Sequence, residues 1–514
     1  MSANPSLVPG DPHDDTLAAH VSPADWKNPE PADRYNLVIL GAGTAGLITA
    51  AVAAGLGARV ALVERHMMGG DCLNVGCVPS KGVIRESRRA HEARSAAGIG
   101  LPASEPADVD FAAAMERMRA RRAHISEEDS AARYQNELGV DVFLGEARFA
   151  GGDIVEVDTP GSDTTKLRFK KAVIATGARA AAPPIPGLAE AGYRDNETIF
   201  ALTERPQRLG VIGSGPIGCE LAQAFRRLGC EVVLFEQADR IMTREDPDAA
   251  AVVQQAFEEE GIETVLGCQV ESIRAEAGAK VVRITCSKGT AQEYAVDEIL
   301  VGVGRAPNVE GLNLEAVGVE YERYGVKVDD ALRTANPAIY AAGDVCMRWK
   351  FTHAADATAK IVVRNTLFPF LPKQKTTGLV MPWCTYTDPE VAHVGMYEAD
   401  AREQGIEVDT IQIPLERVNR AVLDGDEGGF VKVHLKKGTD KILGATIVAS
   451  HAGEMISEIT LAMVAKLGLG TILNVIHPYP TQAEAIKRAA GEHARGRLTP
   501  TVAKIFERIM AWSR

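Results

Sequence analysis

One pattern occurs twice in this chain, and it restricts the possible folds more than any other feature. The apolar run from Tyr35 to Leu40 meets Gly41-Ala42-Gly43-Thr44-Ala45-Gly46. An Ala-rich helical stretch at 47–55 follows, and a second apolar strand at 59–63 ends at Glu64. Strand, glycine loop, helix, strand and acid in that order form the dinucleotide-binding unit. Gly41 makes the tight turn, Gly43 lets backbone approach a pyrophosphate at the helix N-terminus, and Gly46 allows close helix–strand packing. Glu64 is placed to grip ribose hydroxyls. After a Pro-rich linker, Pro183-Pro184-Ile185-Pro186-Gly187, the unit returns. Residues 209–212 lead into Gly213-Ser214-Gly215-Pro216-Ile217-Gly218, a helix runs to Leu228, and a strand at 231–235 ends at Glu236. Two fingerprints imply two bound dinucleotides.

Between them lies Gly69-Gly70-Asp71-Cys72-Leu73-Asn74-Val75-Gly76-Cys77-Val78-Pro79-Ser80-Lys81. In a regular helix five residues rise about 7.5 Å, beyond the roughly 4.4–6.8 Å Cα separation a disulfide permits. A bridge between Cys72 and Cys77 therefore needs a bent segment, which Gly76 allows. Pro79 suits the first turn of a helix. Cys77 then lies at a positive helix end, where a thiolate is favoured. These two cysteines read as a redox-active pair.

Composition narrows the partners. A chain of 514 residues is too long for one core and should divide into three or four domains. A net charge of −13 argues against nucleic acid as a partner. Eight cysteines in that length form no secreted disulfide framework, so Cys219, Cys230, Cys268, Cys286, Cys346 and Cys384 are expected as small buried thiols in a reducing, cytoplasmic setting. No apolar run reaches the roughly 18 residues of a membrane span. Residues 1–33, rich in Pro, Asp, Ala and Ser, are expected to be disordered or loosely docked. A long helix is expected over 111–138, with Arg117, Arg119, Arg121 and Arg122 on a solvated face offset by Glu116, Glu127 and Glu128. Residues 140–150, 153–158 and 166–169 alternate like a small meander, and 172–174 returns to the first sheet. Gly304 lies in the segment Val301 to Asn308 that closes the second unit. Asp344 follows an apolar strand, where its carboxylate is suited to a polyol. From about Thr377 the pattern becomes α+β.

An acid at Glu236 chelates a free ribose diol and repels a 2′-phosphate, so NADH is expected over NADPH, with Arg240 nearby leaving NADPH open. Residues 498–514 carry Val502, Ile505, Phe506, Ile509 and Met510 at helical spacing, with Lys504 and Arg508 opposite. The plainer expectation is a helix docked on its own domain; the sharper one is a weak amphipathic contact with a membrane surface or partner.

In family order, these motifs resemble the flavoprotein disulfide reductases, which include dihydrolipoyl dehydrogenase, glutathione reductase and mercuric reductase. The resemblance runs from about Tyr35 to Arg488. It implies an α/β fold of two Rossmann-like dinucleotide-binding domains, for FAD and NAD(P)H, plus a C-terminal α+β dimerisation domain. The corresponding divisions are a tail at 1–33, FAD-binding segments at 34–182 and 311–376, an NAD(P)H-binding domain at 183–310, a dimerisation domain at 377–496 and a terminal helix at 497–514. It also implies a homodimer whose C-terminal domain completes the partner's active site. Cys72 becomes the thiol that meets substrate and Cys77 the one lying against the flavin. Lys81 is placed near the flavin and paired with Glu220. The FAD contacts extend to Gly70, Asp71, Ala147, Thr176, Gly177, Asp344, Thr352 and His353, while Val270 and Gly304 flank the nicotinamide nucleotide. No resident metal is implied.

The departure lies in His477-Pro478-Tyr479-Pro480-Thr481-Gln482-Ala483-Glu484. Disulfide-reducing and lipoyl-oxidising members carry a histidine where this chain has Tyr479, five residues before Glu484. That histidine shuttles a proton and needs a pKa near 7, whereas tyrosine titrates near 10. Mercuric reductases share the tyrosine pattern, and a thiolate-held metal ion needs no such relay. His477 is expected to be structural. The vicinal cysteine pair of mercuric reductases is missing, so mercury is not singled out among acceptors. The implied activity is therefore a mercuric reductase-like reduction of a metal ion or small molecule through Cys72 and Cys77. The alternatives are a dihydrolipoyl dehydrogenase-like enzyme and a redox-sensing flavin-binding protein.

Overall fold

A computed structural model describes residues 7–100, 102, 109–161, 163–286, 289, 291–498 and 500–514. The chain forms two compact units. One holds the residues up to Gly213 together with Ala224–Gln237 and Cys268–Leu379, and the other holds Ser214–Gln223, Ala238–Gly267 and Val380–Arg514.

The first unit is built on a parallel sheet. Tyr35–Leu40 lies between Val60–Glu64 and Thr165–Ile174, and Asp141–Leu144 pairs in parallel beyond Val60–Glu64. Strands covered on both faces read as unbroken apolar runs, and Leu37, Val38, Ile39, Leu62 and Val173 are fully buried. Thr165–Ile174 links the parallel and antiparallel parts of one seven-stranded sheet. Its first half pairs antiparallel with Ile154–Asp158, and its second half joins the parallel core. The last strand of the expected meander and the strand returning to the first sheet are thus one continuous strand. Ile339–Ala341 pairs with the end of it. A second parallel set places Arg208–Ile212 between Glu231–Phe235 and Glu298–Val301. Cys268–Glu276, Ala279–Cys286 and Ala291–Val296 form an antiparallel sheet.

The other unit carries a five-stranded sheet with the order Pro382–Thr385, Glu390–Gly395, Ile442–Ala449, Phe430–Lys436, Val408–Pro414. Helices Ala452–Val464 and Glu484–Gly496 supply Ile456, Ile459, Ile486 and Ala489 to its core. Among the described residues, no helix is long and apolar enough to cross a membrane.

Several expectations need correction. Residues 1–6 lie outside the described residues, but the rest of the N-terminal stretch is not a loose tail. Pro12–Val21 is a helix capped by the Asp11 carboxylate, and Leu17 and Val21 are fully buried. Its acids explain the second correction, because the arginines of Phe111–Ile125 do not form a solvated face. Arg119 meets Asp11 at 2.6 Å, and Arg122 meets Asp14 at 2.9 Å with side chains only 2% and 1% exposed. Arg117 pairs with Glu86. Partners about a hundred residues apart leave no trace in local composition. The expected single helix over 111–138 is likewise broken by a turn at Ser126–Asp129.

Third, Cys268 and Cys286 are not free thiols: they face each other across two strands and are joined in a disulfide. Cys219 and Cys230 are buried as expected, while Cys346 and Cys384 are half-buried. Fourth, Pro500–Trp512 is helical but buries none of its residues, so it is not the docked helix of the plainer expectation.

Candidate active site

At the end of Tyr35–Leu40 the chain turns through Gly41, whose φ of 101° lies in the left-handed region. A Cβ on Gly41 would lie 2.5 Å from the Ala175 carbonyl oxygen, and one on Gly46 would lie 1.8 Å from the Gly41 carbonyl oxygen. Gly43 caps helix Thr44–Gly55 without a side chain. It is bridged to Gly69, whose amide donates to the Ala42 carbonyl at 2.9 Å. A Cβ on Gly70 would come within 2.6 Å of the Gly43 Cα. Bare backbone from two segments therefore meets at a helix N-terminus, a cradle that fits a dinucleotide's pyrophosphate.

Glu64 is buried and accepts from the amides of Ala42 at 2.7 Å and His66 at 2.8 Å. Burial raises its pKa against the pull of those two hydrogen bonds. Both carboxylate oxygens keep a second lone pair for a ribose. Thr176 and Gly177 are held by Asn308, through Thr176 Oγ1 to the Asn308 carbonyl at 2.7 Å and the Asn308 amide to the Gly177 carbonyl at 3.0 Å. Ala147 lies half-buried on strand Glu146–Phe149.

Gly70 opens the five-residue helix Gly70–Asn74, which carries Asp71 and Cys72. The chain bends through Val75 and Gly76, and Cys77 is the first residue of Cys77–Ser95. A Cβ on Gly76 would lie 2.6 Å from the Asp71 carbonyl oxygen, so the bend closes tightly. Neither cysteine is in a disulfide: the pair is present as two thiols, Cys72 half-buried and Cys77 exposed. Their side chains are hydrogen-bonded to each other, and that bond together with burial pushes the Cys72 thiol well above its ordinary value. Thr352 Oγ1, at the start of helix Thr352–Leu367, lies 3.4 Å from Cys77 Sγ. Within the pair, the positive end of Cys77–Ser95 favours charge on Cys77. Lys81 lies four residues further along that helix, on the face of Cys77.

A charged cluster completes this unit. Asp344 sits in the turn Gly343–Val345, where burial raises its pKa against the pull of Arg305 and Lys350. Arg305 Nε lies 3.6 Å from Asp344, and the same guanidinium binds Asp71 and the Ala178 carbonyl. Burial works against its charge, but Asp71, Asp344 and Glu197 together outweigh burial and hold its pKa above the ordinary value. His353 stacks on Phe351 with ring centroids 5.3 Å apart. Sequence reasoning missed Arg305, Asn308 and Lys350. The available signal was an arginine and an asparagine in a glycine-flanked segment directly after a strand.

The second fingerprint is divided. Gly213, with φ of 98°, donates its amide to the Phe235 carbonyl at 2.9 Å. Glu236 follows that strand, and its carbonyl accepts from the Cys268 amide at 3.2 Å. Val270 lies on Cys268–Glu276, and Gly304 has φ of 88°. These four residues belong to the unit of Cys72. Gly215, Gly218 and Glu220 belong to the other unit, where buried Glu220 accepts from the Tyr386 amide at 2.9 Å. Lys81 and Glu220 are thus on different units. Tyr479 is 71% exposed, and its hydroxyl accepts from Asn419 Nδ2 at 3.0 Å. Glu484 begins helix Glu484–Gly496 and pairs with Arg488 at 3.0 Å. His477 pairs with Glu458 at 3.1 Å.

A parallel sheet with a glycine cradle, a pair of adjacent thiols on the segment that closes it, and a separate antiparallel domain define a nucleotide-dependent dithiol enzyme. The chain belongs to the pyridine nucleotide-disulphide oxidoreductase family, which it matches over residues 35–359, and it carries that family's dimerisation domain over residues 381–490. It is a flavin-dependent oxidoreductase of that family, whose members bind FAD and use NAD(P)H. It is similar to a mercuric reductase of Bacillus cereus, with 36% identity over 88% of this chain and 71% of the relative. A dihydrolipoyl dehydrogenase of Chlamydia muridarum is 32% identical over 89% of this chain and 96% of that protein. Among solved structures, the Cu(II) complex of the HOCl-induced flavoprotein disulfide reductase of Escherichia coli superposes with a TM-score of 0.79. Identity there is 28%, covering 90% of this chain and 99% of that one.

Proposed function

We propose that Cys72 and Cys77 cycle between dithiol and disulfide and deliver their electron pair to a thiophilic metal ion, as in mercuric reductases. One observation carries this reading: two hydrogen-bonded thiols stand on the closing segment of the cradle, while the C-terminal motif offers Tyr479 where a proton shuttle would need a histidine. Soft thiolates suit soft cations. The relatives named mercuric reductase and the solved neighbour with Cu(II) support the same class of acceptor.

In this scheme Gly41, Gly43, Gly46, Glu64, Gly70 and Asp344 would hold FAD, with Asp71, Ala147, Thr176, Gly177, Thr352 and His353 around it. When bound, FAD would supply the means by which a hydride from NAD(P)H returns two electrons to the sulfurs. The residues' own work is to bind and to exchange protons. Cys77, at the helix end, gives up its proton first, and Cys72 follows when the cation binds. The two sulfurs then give two electrons, both to one Hg²⁺ or one to each of two Cu²⁺, the S–S bond forms, the reduced metal leaves and two protons have gone to solvent. Lys81 and Glu220 would balance charge near the flavin. Gly213, Gly215, Gly218, Glu236, Val270 and Gly304 would seat NADH. In a homodimer, Tyr479 and Glu484 of one subunit would complete the site of its partner.

An acceptor screen with NADH tests this: Hg²⁺, Cu²⁺, lipoamide, glutathione disulfide and quinones, with wild type against Cys72→Ser. Metal-ion turnover that disappears in Cys72→Ser is expected. Robust oxidation of dihydrolipoamide by NAD⁺ would instead favour the dihydrolipoyl dehydrogenase reading. Very slow turnover with every acceptor would favour the sensing one.

The enzyme would work in the cytoplasm, and helix Pro500–Trp512 would rest on an anionic lipid surface. Ile505, Phe506, Ile509 and Met510 are about half exposed and Trp512 is 91% exposed. From Lys487 to Arg514 seven Lys and Arg stand against two Glu, in a chain of net charge −13. That separation of charge complements acidic headgroups. The holoenzyme should sediment with phosphatidylglycerol vesicles and not with phosphatidylcholine, and Phe506→Asp/Ile509→Asp should abolish this. Equal sedimentation of the variant would remove the lipid contact from the account.

A further inference from the structure

The N-terminal helix does more than cover apolar surface. Its last residue, Val21, accepts from the Met68 amide at 3.0 Å, just before the segment that carries both cysteines. Its buried Asp14 holds Arg122 at 2.9 Å through one carboxylate oxygen, and the other oxygen accepts from the Gly10 amide at 3.0 Å. Arg122 reaches on from that pair and donates to the Asn74 carbonyl at 2.9 Å. Asn74 turns its own side chain back onto the carbonyls of Met68 and Gly70, each at 2.9 Å. The next carbonyl, Val75, accepts from buried Asn196 at 3.2 Å.

Two consecutive carbonyls in the bend between Cys72 and Cys77 are therefore held by side chains from outside it. Neither side chain is close to the cysteines in sequence.

Pairing two thiols intramolecularly depends on how often the chain brings them together, and fixing the connecting backbone raises their effective concentration. Asn74 is the last residue of its short helix, and the residue four beyond Val75 is Pro79, which has no N–H to give, so these two carbonyls need donors from elsewhere, whereas the Gly76 carbonyl accepts from the Ser80 amide at 3.0 Å. An arginine fixed by a buried carboxylate supplies the anchor, because a guanidinium can donate to both groups at once in one plane.

We infer that Asp14 and Arg122 are positioning residues: through the Asn74 carbonyl they hold the bend so that Cys72 and Cys77 stay poised to form their disulfide. This rests on the reading of those cysteines as the redox pair. Asp11 is the internal control. It caps the same helix and binds Arg119, yet touches nothing in the bend.

The test is the thiol–disulfide equilibrium of the FAD-loaded enzyme with dithiothreitol. Each disulfide formed between Cys72 and Cys77 converts one oxidised dithiothreitol to its dithiol, so two electrons and two protons are exchanged. Asp14→Asn should lower the equilibrium constant for closing the Cys72–Cys77 bridge at least fivefold, and Asp11→Asn less than twofold. If Asp14→Asn does not fold, Arg122→Lys is read in the same way, since an ammonium keeps the charge but loses the planar two-way bridge. Constants within twofold of wild type for the folded variant would overturn the inference, as would an equal shift in Asp11→Asn. Failure of the parent reading has a separate signature, namely Cys72→Ser retaining full acceptor reduction.

Discussion

The two glycine loops share one sequence pattern and differ in what surrounds them. At the first, added methyl groups would strike backbone: 1.8 Å from the Gly41 carbonyl oxygen at Gly46 and 2.6 Å from the Gly43 Cα at Gly70. At the second, a methyl group on Gly215 would meet nothing within 4 Å, and one on Gly213 would meet first the side chain of Val303, at 2.7 Å. The Gly46 contact is internal to the loop, whereas the Gly70 contact comes from the segment that carries the cysteines. It brings Gly69 and Gly70 onto the first loop, and no comparable glycine pair is bridged to the second among the described residues. A closed seat suits a group that stays; an open one suits a nucleotide that arrives and leaves on each turnover. The same fingerprint thus serves a prosthetic group or a cosubstrate according to what packs on it.

The comparison can be broken from either side. Gly46→Ala should have the largest effect, a loss of about 3 kcal/mol or more with FAD no longer retained, read from denaturant unfolding and the flavin-to-protein absorbance ratio. Retention of FAD in that variant would mean that the first seat is as open as the second. Glu236→Ser should move the NADH-to-NADPH ratio of kcat/KM about tenfold toward NADPH, roughly 1.4 kcal/mol. A wild-type enzyme that already prefers NADPH tenfold would overturn the assignment of Glu236.

A pH effect should follow the first strand-end acid. Glu64 is buried and its pKa is raised, so between its unfolded value near 4.5 and its higher folded value the unfolded chain binds fewer protons. Its contribution to stability is therefore present below pH 4.5 and is lost as pH rises through the folded pKa, by up to about 1.4 kcal/mol per unit. Glu64→Gln should flatten that slope, measured by denaturant midpoints from pH 4.5 upward. The smallest change is expected for Gly215→Ala: FAD retained, and KM for NADH within about threefold of wild type.

Much of the fold was legible because parallel strands buried on both faces leave unbroken apolar runs, and because glycines at fixed spacing have few other uses. Tyr35–Leu40 and Arg208–Ile212 stood out for that reason. The N-terminal helix did not, since its stability comes from Asp11 and Asp14 meeting arginines about a hundred residues away. A window of local sequence contains only half of each pair. The segment of Arg305 could be singled out but its role could not, for a related reason: its partners Asp71 and Asp344 come from distant segments, and only the fold brings them to one guanidinium. The Cys268–Cys286 bridge depends on strand register, which composition does not encode. Cys72 and Cys77 were legible because Gly76, which allows the bend, and Pro79, which starts the next helix, lie in the same short segment.

Anaerobic reductive titration of the purified holoenzyme is the most direct test of the proposed electron path. The account predicts uptake of two electrons by the flavin and two more by the sulfur pair, with the second two absent in Cys72→Ser. Uptake by wild type of the flavin's two electrons alone would contradict it.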